Sequence, residues 1–358
     1  MTQNASGNGT NGSALKFGIF DWIDRNGLPL ADLFEQRLKL LEFADSAGFY
    51  CYHLAEHHAT PLSIAPSPGI FLAAAAQRTS RIRLGPLVFL LPLYSPLRLA
   101  QEICMLDQMS RGRLELGVGR GVSPHELAFF NVDTDQSRVM FQEALSAITS
   151  GLTTGEMSSD GEYFPFDDVR MHIEPMQKPY PPLWYPTENP ESMRWVAEQG
   201  INTIVHYPAL DKIRELFDLY KSVWQESRDH PNRLNAHEKE PKYGITRHVY
   251  VADTDAKAME QAKVAFASFI HQFNYLRVQA GDTGGRTDFL ADFEARIEDG
   301  YHIVGSPGSV KEQVKAHVEA TGCNYFAGSF FFGTLSLEQT MNSLQLFARE
   351  VMPAFAEA

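Results

Sequence analysis

Cysteine is scarce in this 358-residue chain: only Cys51, Cys104 and Cys323 occur, far apart and with no Cys-x-x-Cys pair. Such a set suggests neither a disulfide framework nor a cysteine-rich zinc site, and a reducing compartment, the cytoplasm, is expected. No apolar run approaches the roughly 18 residues that mark a membrane-spanning helix, so no membrane segment is expected. Positive charge is not in excess either. The formal net charge is −13, which argues against non-specific binding to nucleic acid or to an anionic membrane surface. Met1–Ala14 carries no charge and no apolar core of a signal peptide; rich in Asn, Gly, Ser and Thr, it reads as a disordered tail. There is no Walker A sequence, and Gly117-Val118-Gly119-Arg120-Gly121 puts Val122 where a dinucleotide fingerprint needs its third glycine.

What is present is ordinary soluble composition, 44% apolar and 21% charged, in a chain long enough for one large α/β barrel or two mid-sized domains. From Leu15 onward strand-like and helix-like segments alternate, the pattern of a parallel α/β protein. Strands are expected at 16–20, 49–52, 82–91, 114–118, 183–185, 202–206, 243–251 and 324–332. Between them lie helical stripes such as Leu30, Leu33, Phe34, Leu38 and Leu41, closed by Gly48, and Leu210, Ile213, Leu216, Phe217, Tyr220 and Trp224. A hairpin is expected within 162–176, and Ser336-x-x-Gln339 opens the last helix as a capping box. Eight strands without an internal break predict a (β/α)8 TIM barrel over 15–358. A barrel needs about 250 residues, so insertions are expected. The main one is a Gly-containing, lid-like excursion over 279–301, after strand seven, for which a functionless surface loop is the competing reading.

Chemistry concentrates at predicted strand ends. His53-Leu54-Ala55-Glu56-His57 matches H-x-x-E-H, but that zinc pattern needs a helix, and this segment continues a strand into Ala59-Thr60-Pro61. No metal is expected. A structural histidine pair, or His57 acting beside a bound reactive group, are the two readings left. In the glycine cluster, small residues let backbone approach a planar ligand while Arg120 forks onto a phosphate; a plain turn with Arg120 in solvent is the alternative. Thr187-Glu188-Asn189-Pro190-Glu191-Ser192 opens a helix after strand five, where unpaired N–H groups favour an anion, although Asn189 as a simple cap explains the same residues. Aromatic residues also gather at strand ends (Phe20, Trp22, Tyr207 and Phe330–Phe332), as interior filling or as the wall of an apolar pocket.

Together Glu56-His57-His58, Leu91-Pro92 with Pro96-Leu97-Arg98, Leu106-Asp107-Gln108-Met109-Ser110-Arg111-Gly112-Arg113, Gly117–Gly121, Trp195-Val196-Ala197-Glu198-Gln199-Gly200 and Val351-Met352-Pro353 make a pattern spanning nearly everything after the tail. It resembles the bacterial luciferase-like flavin-dependent monooxygenases. The resemblance implies an FMN-binding barrel with the flavin at its C-terminal mouth. Arg120 matches the phosphate-binding arginine, with Val122 beside it. Glu188, Asn189 and Ser192 match the segment completing the phosphate site, and His57 the histidine near the flavin's reactive edge that handles protons. Leu87-Val88 matches a non-prolyl cis peptide beneath the ring. Gly119 and Ser123 depart from the luciferase's Cys and Tyr, which sets light emission and the luciferase aldehyde apart from the general chemistry.

The implied reaction uses reduced FMN from a separate flavin reductase and dioxygen to oxygenate a small, apolar organic substrate through a flavin hydroperoxide. A homodimer is expected from the same resemblance. A deazaflavin-dependent hydride-transfer oxidoreductase, a non-catalytic flavin-binding protein and a zinc hydrolase are the alternatives.

Overall fold

Short strands that are apolar on both faces belong inside a parallel sheet covered by helices, and the chain builds one. The computed structural model describes residues 14–282 and 292–356. Its strands are β1 Lys16–Asp21, β2 Cys51–Leu54, β3 Arg83–Pro86, β4 Phe89–Leu90, β5 Leu116–Gly119, β6 Glu156–Ser159, β7 Phe166–Arg170, β8 Leu183–Trp184, β9 Thr203–Val205, β10 Tyr243–Val251, β11 His302–Gly305 and β12 Tyr325–Ser329. The larger sheet runs β11-β10-β12-β1-β2-β3, with β9 also paired to β10; a smaller one runs β4-β5-β8. Every pairing in both is parallel. Single parallel bridges, Leu84 to Leu114 and Trp184 to Asn202, join the smaller sheet to β3 on one side and to the start of β9 on the other. The fold is therefore α/β with a mainly parallel sheet.

The helices are α1 Leu30–Ala47, α2 Pro68–Arg78, α3 Pro96–Ser110, α4 Pro124–Phe129, α5 Ser137–Thr154, α6 Pro190–Glu198, α7 Leu210–Ser227, α8 Asp255–Phe273, α9 Tyr275–Gln279, α10 Phe293–Glu298, α11 Pro307–Thr321 and α12 Leu337–Leu346. Their apolar stripes face the sheet: Leu33, Leu40, Leu41 and Ala44 of α1 are buried, as are Ile213, Leu216, Phe217, Tyr220 and Val223 of α7. Gly48 ends α1 in the left-handed region at φ 87°, donating its N–H to the Ala44 carbonyl, where a Cβ would be strained. The Ser336–Gln339 capping box forms in both directions, 3.2 and 2.9 Å. No helix among the described residues is long and apolar enough to cross a membrane.

Three expectations shift. The strand expected over 82–91 splits: the Leu87–Val88 peptide is cis, β3 ends at Pro86, and Phe89 and Leu90 pair instead with Val118 and Gly119 of β5. The hairpin lies earlier, as the antiparallel pair β6–β7. The pattern did not mark β11, a four-residue strand hydrogen-bonded to the upper half of β10. Residues 1–13 of the tail lie outside the described residues, as do residues 283–291 of the excursion.

Inside the sheet the filling is aromatic. Trp184, Tyr325 and His53 are fully buried and touch one another, their centroids 4.8 to 5.8 Å apart. The Tyr325 hydroxyl lies 2.9 Å from His53 Nε2. Burial pushes the His53 imidazole down to about 3, so it is neutral.

Candidate active site

The segment after β2 projects three consecutive polar side chains, and each finds a partner. Glu56 is buried; one of its oxygens lies 2.8 Å from His58 Nε2, while the other accepts from the Tyr94 hydroxyl (2.9 Å) and the Leu90 N–H (3.2 Å). Burial raises its carboxyl against those bonds. Glu126 of α4, also buried, lies 3.0 Å from His57 Nδ1 and accepts the His58 N–H at 2.7 Å. Here the bonds to His57 and His58 win over desolvation, and the carboxyl is held low. His57 is thus fixed at one ring nitrogen, with its side chain 23% exposed. His53 points away to Tyr325, so the H-x-x-E-H residues do not converge. No cluster of three or more potential metal ligands exists among the described residues.

An open hollow of about 250 Å³ is lined by Glu56, His57, Leu90, Gly121, Val122, Ser123, Glu126 and Leu127. Gly121 takes φ 90° to turn the chain from β5 toward α4, with Leu127 packed where a Cβ would go. Val122 lines the hollow while 91% exposed. Arg120, half-buried at the end of β5, makes no hydrogen bond or ion pair among the described residues; its charge acts on Tyr185, the residue after β8. Leu87 and Val88 are buried in the interior apolar cluster with Phe20, Trp22 and Trp184. Val88 lies over Gly119, its Cγ2 2.4 Å from where a Cβ would stand. Asn189 caps α6 by accepting the Ser192 N–H at 3.0 Å, and Glu188 accepts the N–H groups of His206 (3.3 Å) and Tyr207 (2.9 Å). The Ser192 hydroxyl has no hydrogen-bond partner among the described residues.

A family model described as luciferase-like monooxygenase matches residues 15–325. The chain belongs to that family. The luciferase-like chain is 36% identical to the protein y4wF of Sinorhizobium fredii, over 95% of this chain and 97% of that one. It is 28% identical to the oxygenase component of the flavin-dependent trigonelline monooxygenase of Acinetobacter baylyi, over 96% of each. Among solved structures, the monooxygenase RslO1 of Streptomyces bottropensis superposes with a TM-score of 0.83 at 26% identity, covering 96% of this chain and all of that one. The oxygenating constituent of 3,6-diketocamphane monooxygenase from Pseudomonas putida, solved with FMN, shares the fold at a TM-score of 0.80 and 23% identity, covering 96% and 99%.

Within this luciferase-like fold, His57 and Val122 line one hollow, with Arg120 two residues before Val122. Glu188, Asn189 and Ser192 stand at the α6 entrance beyond Tyr185. Sequence reasoning missed Glu126, the partner of both His57 and the His58 main chain. Its only local signal is its place at the third position of α4, where Ser123 caps the helix by accepting the Glu126 N–H.

Proposed function

We propose that this luciferase-like enzyme is the oxygenase of a two-component flavin monooxygenase, using reduced FMN delivered by a separate reductase, and dioxygen, to oxygenate a small, largely apolar organic substrate. The observation that carries the reading is Arg120: a half-buried cation without an ion pair among the described residues, one residue from a hollow that His57 lines. An uncompensated guanidinium at a strand end fits a phosphate, which it can grip with two parallel N–H bonds. The parallel strands and the two single bridges support a closed (β/α)8 barrel whose strand ends form the mouth.

In this reading Arg120 holds the FMN phosphate, with the Ser192 hydroxyl and main-chain N–H groups around Val122, Glu188 and Asn189 beside it. Asn189 and Glu188 order the loop with their side chains rather than meeting the ligand with them. Leu87 and Val88 form the apolar floor under the flavin ring, and Gly119 leaves room for Val88. Reduced FMN, when bound, supplies the electrons that activate dioxygen. The chain's part is to position the ring, keep water out and hold a proton at His57 Nε2, with Nδ1 fixed by Glu126. The relative named as an oxygenase component supports a partner reductase. A homodimer and a cytoplasmic location complete the proposal.

The test is a pair of titrations. Arg120→Ala should weaken FMN at least tenfold while leaving riboflavin, which lacks the phosphate, nearly unchanged. Equal losses for both ligands would place the phosphate elsewhere and remove the assignment.

A further inference from the structure

A second hollow, open to solvent and about 410 Å³ with that open space counted, is lined by Trp22, the His206–Tyr207 segment after β9, Thr246–His248 of β10, Tyr301 and His302 at β11, and one face of α8 (Phe266, Phe269, Ile270 and Phe273). Its walls are aromatic: Trp22 stacks on His248, centroids 5.4 Å apart and planes 7° from parallel, and Phe269 meets the same imidazole edge-on at 4.6 Å. An apolar box of this kind has no need of polar groups, yet several line it, Arg247, His248 and His302 among them.

Arg247 is 3% exposed. Nε donates to the Gly300 carbonyl at 2.6 Å, and Nη1 to the carbonyls of His206 (2.6 Å) and Thr246 (2.8 Å). Nη2 makes no hydrogen bond, and no carboxylate pairs with the guanidinium, among the described residues. Burial lowers its pKa to about 10, which leaves it charged at neutral pH; the exposed Glu188 is only a minor attraction. His248 Nε2 is buried with no hydrogen-bond partner, and the ring nitrogens of His302 make no hydrogen bond of good geometry, only a weak polar contact with the Tyr301 main chain; His248 is 8% and His302 3% exposed. Burial holds both rings neutral, so each offers one N–H donor. Buried charges are ordinarily paired and buried polar atoms bonded. Here a cation with no carboxylate partner among the described residues, and imidazoles short of acceptors, line one aromatic hollow.

We infer that this hollow binds the carboxylate of a small aromatic or alicyclic acid, with Arg247 supplying the charge and His248 and His302 the hydrogen bonds. Resting on the flavin reading above, the inference makes such an acid the compound that is oxygenated: Trp22, Phe266 and Phe269 hold its ring, and the carboxylate fixes which carbon faces the flavin.

The experiment is calorimetric titration of the full-length protein with benzoate, cyclohexanecarboxylate and the neutral ester methyl benzoate, repeated on His302→Phe with FMN titrated in parallel. The acids should bind the wild type at least tenfold more tightly than the ester. His302→Phe should weaken the acids at least tenfold and leave FMN affinity unchanged. Equal binding of acid and ester, no binding of either, or acid affinity intact in His302→Phe would each overturn the inference. Acid-selective binding by a protein that does not take up FMN would support the pocket and overturn the flavin reading alone.

Discussion

Replacing His302 by Phe should make this protein more stable, and the gain should grow in acid. The His302 ring stacks on Phe293 (5.2 Å, 26°) and meets Phe266 edge-on at 4.2 Å, so a phenyl ring of similar shape enters an aromatic site. Its two nitrogens make no hydrogen bond of good geometry, only a weak contact with the Tyr301 main chain, and a buried unsatisfied polar group costs about 1–3 kcal/mol. His302→Phe should therefore gain about 2 kcal/mol at pH 7.5. The pH term follows from linkage. In the folded chain burial lowers the imidazole to about 3, whereas the unfolded chain takes up that proton near its ordinary value of about 6.5. Between those values the unfolded state binds more protons, so wild-type stability falls as pH falls, by about 1.4 kcal/mol per unit for this one residue.

Phe has no proton to take up. The advantage of the variant should accordingly widen by about 1.4 kcal/mol between pH 7.5 and pH 5.5. Asp24, which burial raises to about 7, acts in the opposite sense over the same range, but it is common to both proteins and cancels in the difference. Equilibrium urea denaturation of both proteins at the two pH values measures this directly. Parallel stability curves, or a variant less stable at pH 7.5, would refute the claim that His302 is buried, neutral and short of good hydrogen bonds.

Other consequences concern the first hollow and its foundations. His57→Ala should still bind FMN but release more hydrogen peroxide per substrate oxidised, measured by oxygen uptake and peroxide assay; unchanged coupling would remove His57 from proton handling. Glu115, 1% exposed, binds the Arg83 guanidinium, the Tyr50 hydroxyl (2.9 Å) and the Trp184 indole N–H (2.5 Å). Glu115→Ala breaks all three contacts and should cost about 3–5 kcal/mol in urea denaturation; a loss below about 1 kcal/mol would mean that water replaces the carboxylate. A Cβ on Gly117 would stand 2.1 Å from the Pro86 carbonyl oxygen and 3.2 Å from Leu87 Cα. Because these are backbone atoms, Gly117→Ala must shift β3 against β5, and a loss of about 1–3 kcal/mol is expected.

Local signals in the chain decided local structure. The Ser336–Gln339 cap, the Gly48 stop and the stripes of α1 and α7 depend on residues within a turn or two of one another, so spacing alone announces them. The same holds for the alternation of strands and helices, and the motif segments around His57 and Arg120 pointed to the family before any coordinate. What spacing does not carry is which distant groups meet. Glu126 grips His57 from 69 residues away, and the run 82–91 divides because Phe89 finds Val118 across the sheet, where pairing overrides a continuous apolar pattern. Arg247, His248 and His302 look like strand filling in one dimension. Only packing α8 and Trp22 around them buries their polar groups with no carboxylate beside the cation and the imidazoles short of acceptors, and that burial turns ordinary residues into a candidate binding site.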